Sequence, residues 1–543
     1  MSEQKTGVKA STETPERTAS TERAERITQR AAVVALGTFA SRLLGLGREL
    51  VVAAFFSRAV TDAFFVAFQI PNILRQLLAE GAVQNAVIPV LSTVLKEEGD
   101  ERAKDYFKNT RGLSLVLLLI ITVLGVVFAE PIVKIFAPGF ARRPGQLEQT
   151  VELTRWVFPY ILLIGTAALS SAALNTHRRF FATSFSPILL NVSFIVAALA
   201  LPPWLIHLGQ PPALSLALGA LLGGLLQILA LWPDMRRIGY TGFPGFRFRD
   251  PALLESLRRM GPTLIGIGVY YLDVILGRRF LSDLGEGAVT YFGFALRLCD
   301  FPQGIFVMAL QTATLPSLAS LVAAGNLGEV ARTFAFSVRV SLLVGIGATA
   351  LFVGLSEPLV RLLFERGEFG PHDTIETSRA LIAQGLGIWL VAAIRQVTIV
   401  FFALGDTKTP VLVASLDLVA FVLLCLGLRG SLGHVGVGLA VSGASLVQLV
   451  LLWALLRRKM PLPEREVLIS GLRLLPPAVV AGFLAYFLGR LDLGPGRILE
   501  ATKTLVAFSV GLAAYLGLAR ALGAPELVHL FGIIRRRVGV ARR

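Results

Sequence analysis

Apolar residues run almost unbroken from position 31 to position 522, interrupted only by short polar stretches. A membrane helix needs about 20 mostly apolar residues. On that measure the runs fall at 31–57, 62–95, 112–137, 151–175, 181–201, 211–233, 256–281, 288–322, 333–355, 376–403, 409–428, 434–456, 467–489 and 501–522, fourteen in all. Charges inside the first, second, eighth and tenth blur their limits. Barrel strands would instead alternate over roughly ten residues, so these runs are helices. The expectation is an all-α polytopic membrane protein of about fourteen spanning helices. Residues 1–30 are polar, with no apolar stretch of a secretory signal; they read as a disordered cytoplasmic tail.

The pattern also repeats. Glu130-Pro-Ile-Val-Lys134 recurs as Glu357-Pro-Leu-Val-Arg361, an offset of 357 − 130 = 227. Ala86-Val-Ile-Pro89 recurs as Ala313-Thr-Leu-Pro316 at the same offset, and Ala173-Leu174 as Ala403-Leu404 at 230. Three matches in order at nearly one spacing argue for duplication. The offset spans an even number of helices, so the halves share one orientation, as parallel repeats about the membrane normal. Two six-helix lobes follow, 31–235 and 256–458, with two extra helices in 467–522 and a basic tail at 523–543. Paired lobes around a cavity are the build of an alternating-access transporter.

Composition fits this. Charged residues are 16% of the chain, against roughly 25% in soluble domains. The net charge of +16 lies mostly in short loops and the tail. Membrane orientation therefore explains it, not nucleic acid. Loops after even-numbered spans carry Lys96, Arg102, Lys104, Arg178, Arg179, Arg236, Arg237, Arg457 and Arg458, and the tail adds Arg535 to Arg537. Both termini are placed in the cytoplasm, in the inner membrane. Cys299 and Cys425 lie in apolar runs, and the five His show no metal-ligand spacing, so neither a disulfide framework nor a metal site is expected. No GxxxxGK[ST] motif is present, and the longest loop, about 234–255, has Asp234, Asp250 and Glu255 but no metal-ligand spacing suited to a membrane-embedded saccharide-lipid transferase. The chain reads as a transporter and not an enzyme, with no cofactor.

Charges within spans are expensive and mark cavities or partners. They are Arg42, Arg48 and Glu49 in the first span, Arg75 and Glu80 in the second, Asp273 in the seventh, Arg297 and Asp300 in the eighth, Arg395 in the tenth and Asp417 in the eleventh. Asp62 opens its span and serves either the cavity or as a helix cap. Arg297 and Asp300 share a helix face and form either cavity groups or a structural ion pair. An excess of Arg suits an anionic headgroup, because guanidinium forks bind phosphate oxygens in pairs. Asp273 and Asp417, with Ser442 or Ser415 as oxygen ligands, form a candidate site for Na⁺ or H⁺; the alternative is a protonated structural acid.

Several blocks resemble the MurJ/MviN family of lipid II flippases: Ser41-Arg-Leu-Leu-Gly-Leu-Gly-Arg-Glu49, Thr61-Asp-Ala-Phe-Phe-Val-Ala-Phe68, Ile70-Pro-Asn-Ile-Leu-Arg75, Ala79-Glu-Gly-Ala82, Ala137-Pro-Gly-Phe140, Leu315-Pro-Ser-Leu318 and Ala403-Leu-Gly-Asp-Thr-Lys-Thr-Pro410. The resemblance covers about 31–460. It implies a fourteen-helix member of the multidrug/oligosaccharidyl-lipid/polysaccharide exporter superfamily. The implied substrate is lipid II, the undecaprenyl-diphosphate-linked disaccharide-pentapeptide, with membrane lipids and the cell-wall synthesis machinery as partners. The family's functional arginines map onto Arg42, Arg48, Arg75 and Arg297, and its acids onto Asp62, Glu80 and Asp300. Glu49 stands where several members have Asp, and Gln76 where others have a second Arg. The last two helices are implied to form a groove for the lipid tail. Other readings are a flippase for another polyprenyl-diphosphate saccharide and a drug exporter of the same superfamily.

Overall fold

The computed structural model describes residues 15–77, 84–492, 494 and 496–527. The described residues are helical nearly throughout. The first group is α1 (Pro15–Phe55), α2 (Arg58–Leu74), α3 (Gln84–Glu97), α4 (Asp100–Val127), α5 (Ala129–Phe136), α6 (Gln146–Val157), α7 (Tyr160–Thr176), α8 (Phe180–His207) and α9 (Leu214–Arg237). The second is α10 (Pro251–Ser282), α11 (Ala288–Pro302), α12 (Met308–Ala323), α13 (Leu327–Gly354), α14 (Ser356–Phe364), α15 (Pro371–Gly385), α16 (Ile388–Ala403) and α17 (Lys408–Arg457), followed by α18 (Glu464–Gly489) and α19 (Arg497–Ala521). The long helix α4 and its counterpart α13 are both 28 residues and start 327 − 100 = 227 apart. Short α5 follows α4 as short α14 follows α13.

Several continuous apolar runs are broken helices. The fourth splits at Phe158-Pro159 into α6 and α7, and the eighth at a π-helical turn, Gln303–Val307. In α17, Gly433 at φ 57° folds the chain into a hairpin, so that Gly436 lies on Leu428 and Gly443 on Leu424. Among the described residues nine helices, some spanning a short break, are long and apolar enough to cross a membrane. The fourteen-span expectation is not reached on that measure: α17 holds two runs in one helix, and α2, α3, α11 and α12, at 17, 14, 15 and 16 residues, are each too short alone. The chain is a multi-pass membrane protein.

One expectation is corrected. The polar segment 15–30 is helical and continues into the first span, not disordered. Its Ala, Glu and Arg are strong helix formers, and an apolar helix already nucleated at its C-terminal side extends into it cheaply. Residues 1–14 and the tail from 528 lie outside the described residues.

Two aromatic-rich cores hold the halves. Phe64, Phe107, Tyr160 and Phe194 are buried in the first, and Phe334, Phe401 and Tyr515 in the second. Smaller clusters cross between halves: Ala53 packs with Phe294, Phe364 and Phe369, and Val66 and Phe140 with Phe280 and Phe421.

The linker between halves is fastened to the first. Asp250 caps α10 by accepting from Ala252 N at 3.0 Å, with Pro251 in the first turn, where its missing N–H costs nothing. Its two oxygens also accept a bidentate pair from Arg102 at 2.8 Å each, and Asn109 Nδ2 at 3.1 Å. The Arg102 bonds hold the Asp250 carboxyl below the usual carboxylate range. A depressed acid contributes stability above its unfolded value of about 3.9 and loses it as pH falls further. Limited proteolysis is therefore expected to leave residues 240–250 intact from neutral pH down to about pH 4 and to cut them below it. Asp250→Asn should expose the same sites at neutral pH.

Candidate functional site

Helix α1 carries the first charges into the space between the halves. Glu49 is almost fully buried and accepts from Arg48 Nη2 at 2.6 Å and from Arg297 Nη2, on α11 of the other half, at 3.5 Å. The Arg48 guanidinium also lies 5.1 Å from the Phe194 ring centroid, a cation–π distance. The two arginines differ sharply in access: the side chain of Arg48 is 11% exposed and that of Arg297 48%. An arginine half exposed at mid-helix, inside an apolar span, needs a partner or a watered cavity for its charge.

Arg42 lies nearby. Its guanidinium occupies the place a Cβ would take on Gly304, in the π-helical turn that ends α11. π-turns recur at functional sites, where they re-aim side chains. Asp300, one turn earlier, sits in the combined field of Arg297, Arg395 and Arg42. Of the two readings of Arg297 and Asp300, the i,i+3 ion pair is not formed: the acid that Arg297 meets among the described residues is Glu49, 248 positions away in sequence. Arg395 Nη1 lies 2.9 Å from Met308 Sδ. Gly304→Ala should push the Arg42 guanidinium aside at little cost to folding. Transport should fall about tenfold or more, the value of one hydrogen bond to a charge, with an unchanged melting temperature.

Arg75 donates from Nε to Asn72 Oδ1 at 3.0 Å. Its neighbour Gln76 accepts from the Tyr271 hydroxyl of α10, joining the halves. Glu80 lies outside the described residues.

At the end away from the basic loops, the halves are fastened together. Asp62 does not cap its own helix, a task done by Ser57. It caps α11 from across the interface: Oδ2 accepts from Gly287 N at 2.8 Å, and Oδ1 from Thr290 N at 2.8 Å and Thr290 Oγ1 at 2.6 Å. A carboxylate on the first N–H groups of a helix satisfies orphan donors and the helix dipole together. Arg143 Nη1 stands 3.6 Å from Asp62, and its Nη2 donates to the carbonyls of Ser282 and Leu284. Arg58 stacks on Phe369 and lies 3.8 Å from Asp373, which also accepts from Tyr291. Glu368 N donates to Ala54 O at 2.9 Å.

Arg278 links the two clusters, and the sequence reading passed over it. It donates to Val289 O at 3.2 Å and sits in the fields of Asp62, Glu49 and Arg297. Its position near the end of its span made it look like its exposed neighbour Arg279, a residue reaching for the surface.

Asp273 of α10 and Asp417 of α17 lie close enough for their charges to interact, and each has a buried Oδ1 without a hydrogen-bond partner. Ser442 does not join them. Its hydroxyl donates to Ala383 O at 2.7 Å, and Gly443 packs on Leu424, seven residues along α17 from Asp417, which is on the order of 10 Å. Ser415 donates to Val411 O. No group of three or more His, Cys, Asp or Glu suited to a metal occurs among the described residues.

A groove of about 1770 Å³ opens beside the second half, lined by α13, α16, α17 and α18. Its walls are apolar, with Leu342, Trp389, Trp453, Leu472 and Phe483 among them, and Arg457 and Arg490 stand at its rim. Of the two extra helices only α18 lines it; α19 packs behind, with Tyr515 against Gly347.

The model of the lipid II flippase MurJ family matches residues 51–516. The chain belongs to the MurJ family. A relative in Burkholderia cenocepacia, named lipid II flippase MurJ, is 33% identical over 457 residues, covering 83% of this chain and 88% of that one. A probable lipid II flippase MurJ of Vibrio cholerae is 30% identical over 511 residues, 92% of this chain and 97% of the relative. Among solved structures, lipid II flippase MurJ in an inward closed conformation superposes with TM-score 0.73 at 22% identity, covering 89% of this chain and 98% of that one. An inward-facing multidrug resistance MATE transporter of the MOP superfamily gives 0.64 at 16%, covering 77% and 94%. The all-α transporter fold of the MurJ family is thus the fold of this chain.

Proposed function

We propose that this protein is a lipid II flippase of the bacterial inner membrane, with both termini cytoplasmic. It moves the undecaprenyl-diphosphate-linked disaccharide-pentapeptide from the cytoplasmic to the outer leaflet by alternating access and performs no covalent chemistry. The observation that carries this, beyond family membership, is Arg297: half exposed at mid-membrane beside Arg42, Arg48 and the buried Glu49. Arg297, Arg42 and Arg48, with Arg75 nearer the cytoplasm, bind the diphosphate; Glu49, Asp300 and, outside the described residues, Glu80 balance their charge. The fastened end around Asp62 is the outer gate, and the apolar groove along α18 takes the polyprenyl tail. Two neighbouring acids from α10 and α17, each with a buried Oδ1 that has no hydrogen-bond partner, support a coupling site for H⁺ or Na⁺ at Asp273 and Asp417.

The test is complementation in cells depleted of their own flippase, with lipid II exposure on the outer face as readout. Wild type restores exposure and Arg42→Ala at equal membrane level does not. Failure of well-inserted wild type would move the assignment to another polyprenyl-diphosphate saccharide. Asp417→Asn is expected to abolish the dependence of transport on the cation or proton gradient; an unchanged dependence removes the coupling site.

A further inference from the structure

The segment between the two halves has a form that a plain connector would not need. After α9 ends at Arg237, the chain does not pass directly to α10 but folds back along α4 toward the bilayer. Gly245 N donates to Lys108 O at 2.8 Å, Arg247 N to Asn109 Oδ1 at 3.3 Å, and the Gly245 carbonyl lies against Gly112. Gly112 is twelve residues into α4, about 18 Å along its axis. The apolar run Leu113–Val127 begins at the next residue, with Leu117, Leu119 and Ile120 exposed to lipid. The linker is therefore held at the level where water gives way to hydrocarbon.

At that level it presents Phe243 at 92% exposure and Phe246 at 63%, with Phe248 exposed beside them. Arg247 and Arg249 alternate with these rings, are exposed and have no acidic partner among the described residues. Leu254 and Leu257, exposed on the first turns of α10, continue the apolar side, and Arg258 the basic one. Aromatic rings interleaved with unpaired arginines at this depth match a bilayer surface of anionic headgroups: rings enter the acyl boundary and guanidiniums meet phosphates. We infer that Tyr240–Asp250 is an anionic-phospholipid anchor that moors the first half, at its junction with the second, to the basic-side leaflet.

The experiment uses the full-length protein with Phe243→Cys carrying a spin label; Cys299 and Cys425 are buried and stay unlabelled. Phe243 makes no packing contacts that folding needs, given its exposure. A second label at Glu101→Cys, on a side chain 89% exposed at the same end, is the aqueous control. In phosphatidylglycerol-containing vesicles the label at 243 should be reached more readily by oxygen than by a water-soluble nickel chelate, the reverse of 101. Arg247→Gln/Arg249→Gln should move it outward and abolish the difference between phosphatidylglycerol-containing and pure phosphatidylcholine vesicles. Equal nickel access at 243 and 101 in both vesicle types overturns the anchor. So does burial at 243 that appears only when a polyprenyl diphosphate is added, which would make the loop part of the substrate path. Neither readout depends on which lipid the protein transports.

Discussion

Asp62→Ala is expected to stop transport while leaving each half folded. The substitution removes three hydrogen bonds that cross between halves and strands Gly287 N, Thr290 N and Thr290 Oγ1, all bonded to this one carboxylate. Bonds to a charged acceptor are worth about 1.5–3 kcal/mol each, and a stranded buried donor costs about 1–3. Water reaches the gate once it opens, so only part of this biases the open state. Even about 3 kcal/mol shifts the closed-to-open ratio by about 150-fold. Neither core contains Asp62, so thermal unfolding should change much less than the gate. Asp62→Asn should fail nearly as badly, because an amide has one acceptor oxygen and turns an N–H₂ toward backbone donors. The direct readout is a crosslink by a short bifunctional thiol reagent between Arg142→Cys and Asp283→Cys, whose native charged atoms lie 3.9 Å apart on the rim of this gate. It should form readily in the parent and slowly in Asp62→Ala. Equal rates would show that Asp62 does not control closure.

The sequence exposed the parts of this site that are locally anomalous. An Arg in an apolar run is visible wherever it stands, so Arg42, Arg48, Arg75 and Arg297 were legible, as was the duplication that places them in two halves. What each charge meets was not legible. Glu49 finds Arg297 at a separation of 248 positions and Asp62 finds Thr290 at 228; spacing rules on one helix say nothing about such pairs. That limit is why Arg297 and Asp300 stayed open between cavity groups and an ion pair: they share a helix face, but Glu49 lies opposite Arg297. It also explains why one of the two readings of Asp62 was a cap for its own helix. The chemistry of capping was right, and the helix capped was on the other half. The break at Phe158-Pro159 was not legible, since the run 151–175 reads as one span and proline alone is no sure signal: Pro71 sits inside α2 without breaking it. The π-turn after Asp300 leaves no local signature beyond Pro302 and Gly304. Arg278 was hidden by position, since only tertiary packing distinguishes a half-buried arginine near a span's end from one reaching out of it.

Glu49 and Arg297 touch, yet their substitutions should fail in different ways. Glu49 is 4% exposed and balances Arg48 and Arg297 together. Glu49→Gln leaves two guanidiniums facing each other in a low-dielectric site, and breaking a buried pair from one side costs about 3–5 kcal/mol. The expected result is a large loss of stability, seen as a lower melting temperature in detergent and reduced membrane levels. Arg297→Ala is milder to the fold. Glu49 keeps its 2.6 Å bond to Arg48, and the side chain removed is 48% exposed, so its charge was largely solvated by the cavity. Stability should change by about 1 kcal/mol or less. Transport should nonetheless fall about 100-fold, because a diphosphate spanning the cavity loses its only ligand from α11 and with it one charge-assisted fork. Arg297→Lys should restore a part of it, since a point charge replaces the fork without its geometry. If Arg297→Ala instead destabilises the protein as much as Glu49→Gln does, the pair is a structural brace, and the substrate contact must lie with Arg42 and Arg75. If both variants are stable and both inactive, Glu49 belongs with the groups that sense the substrate.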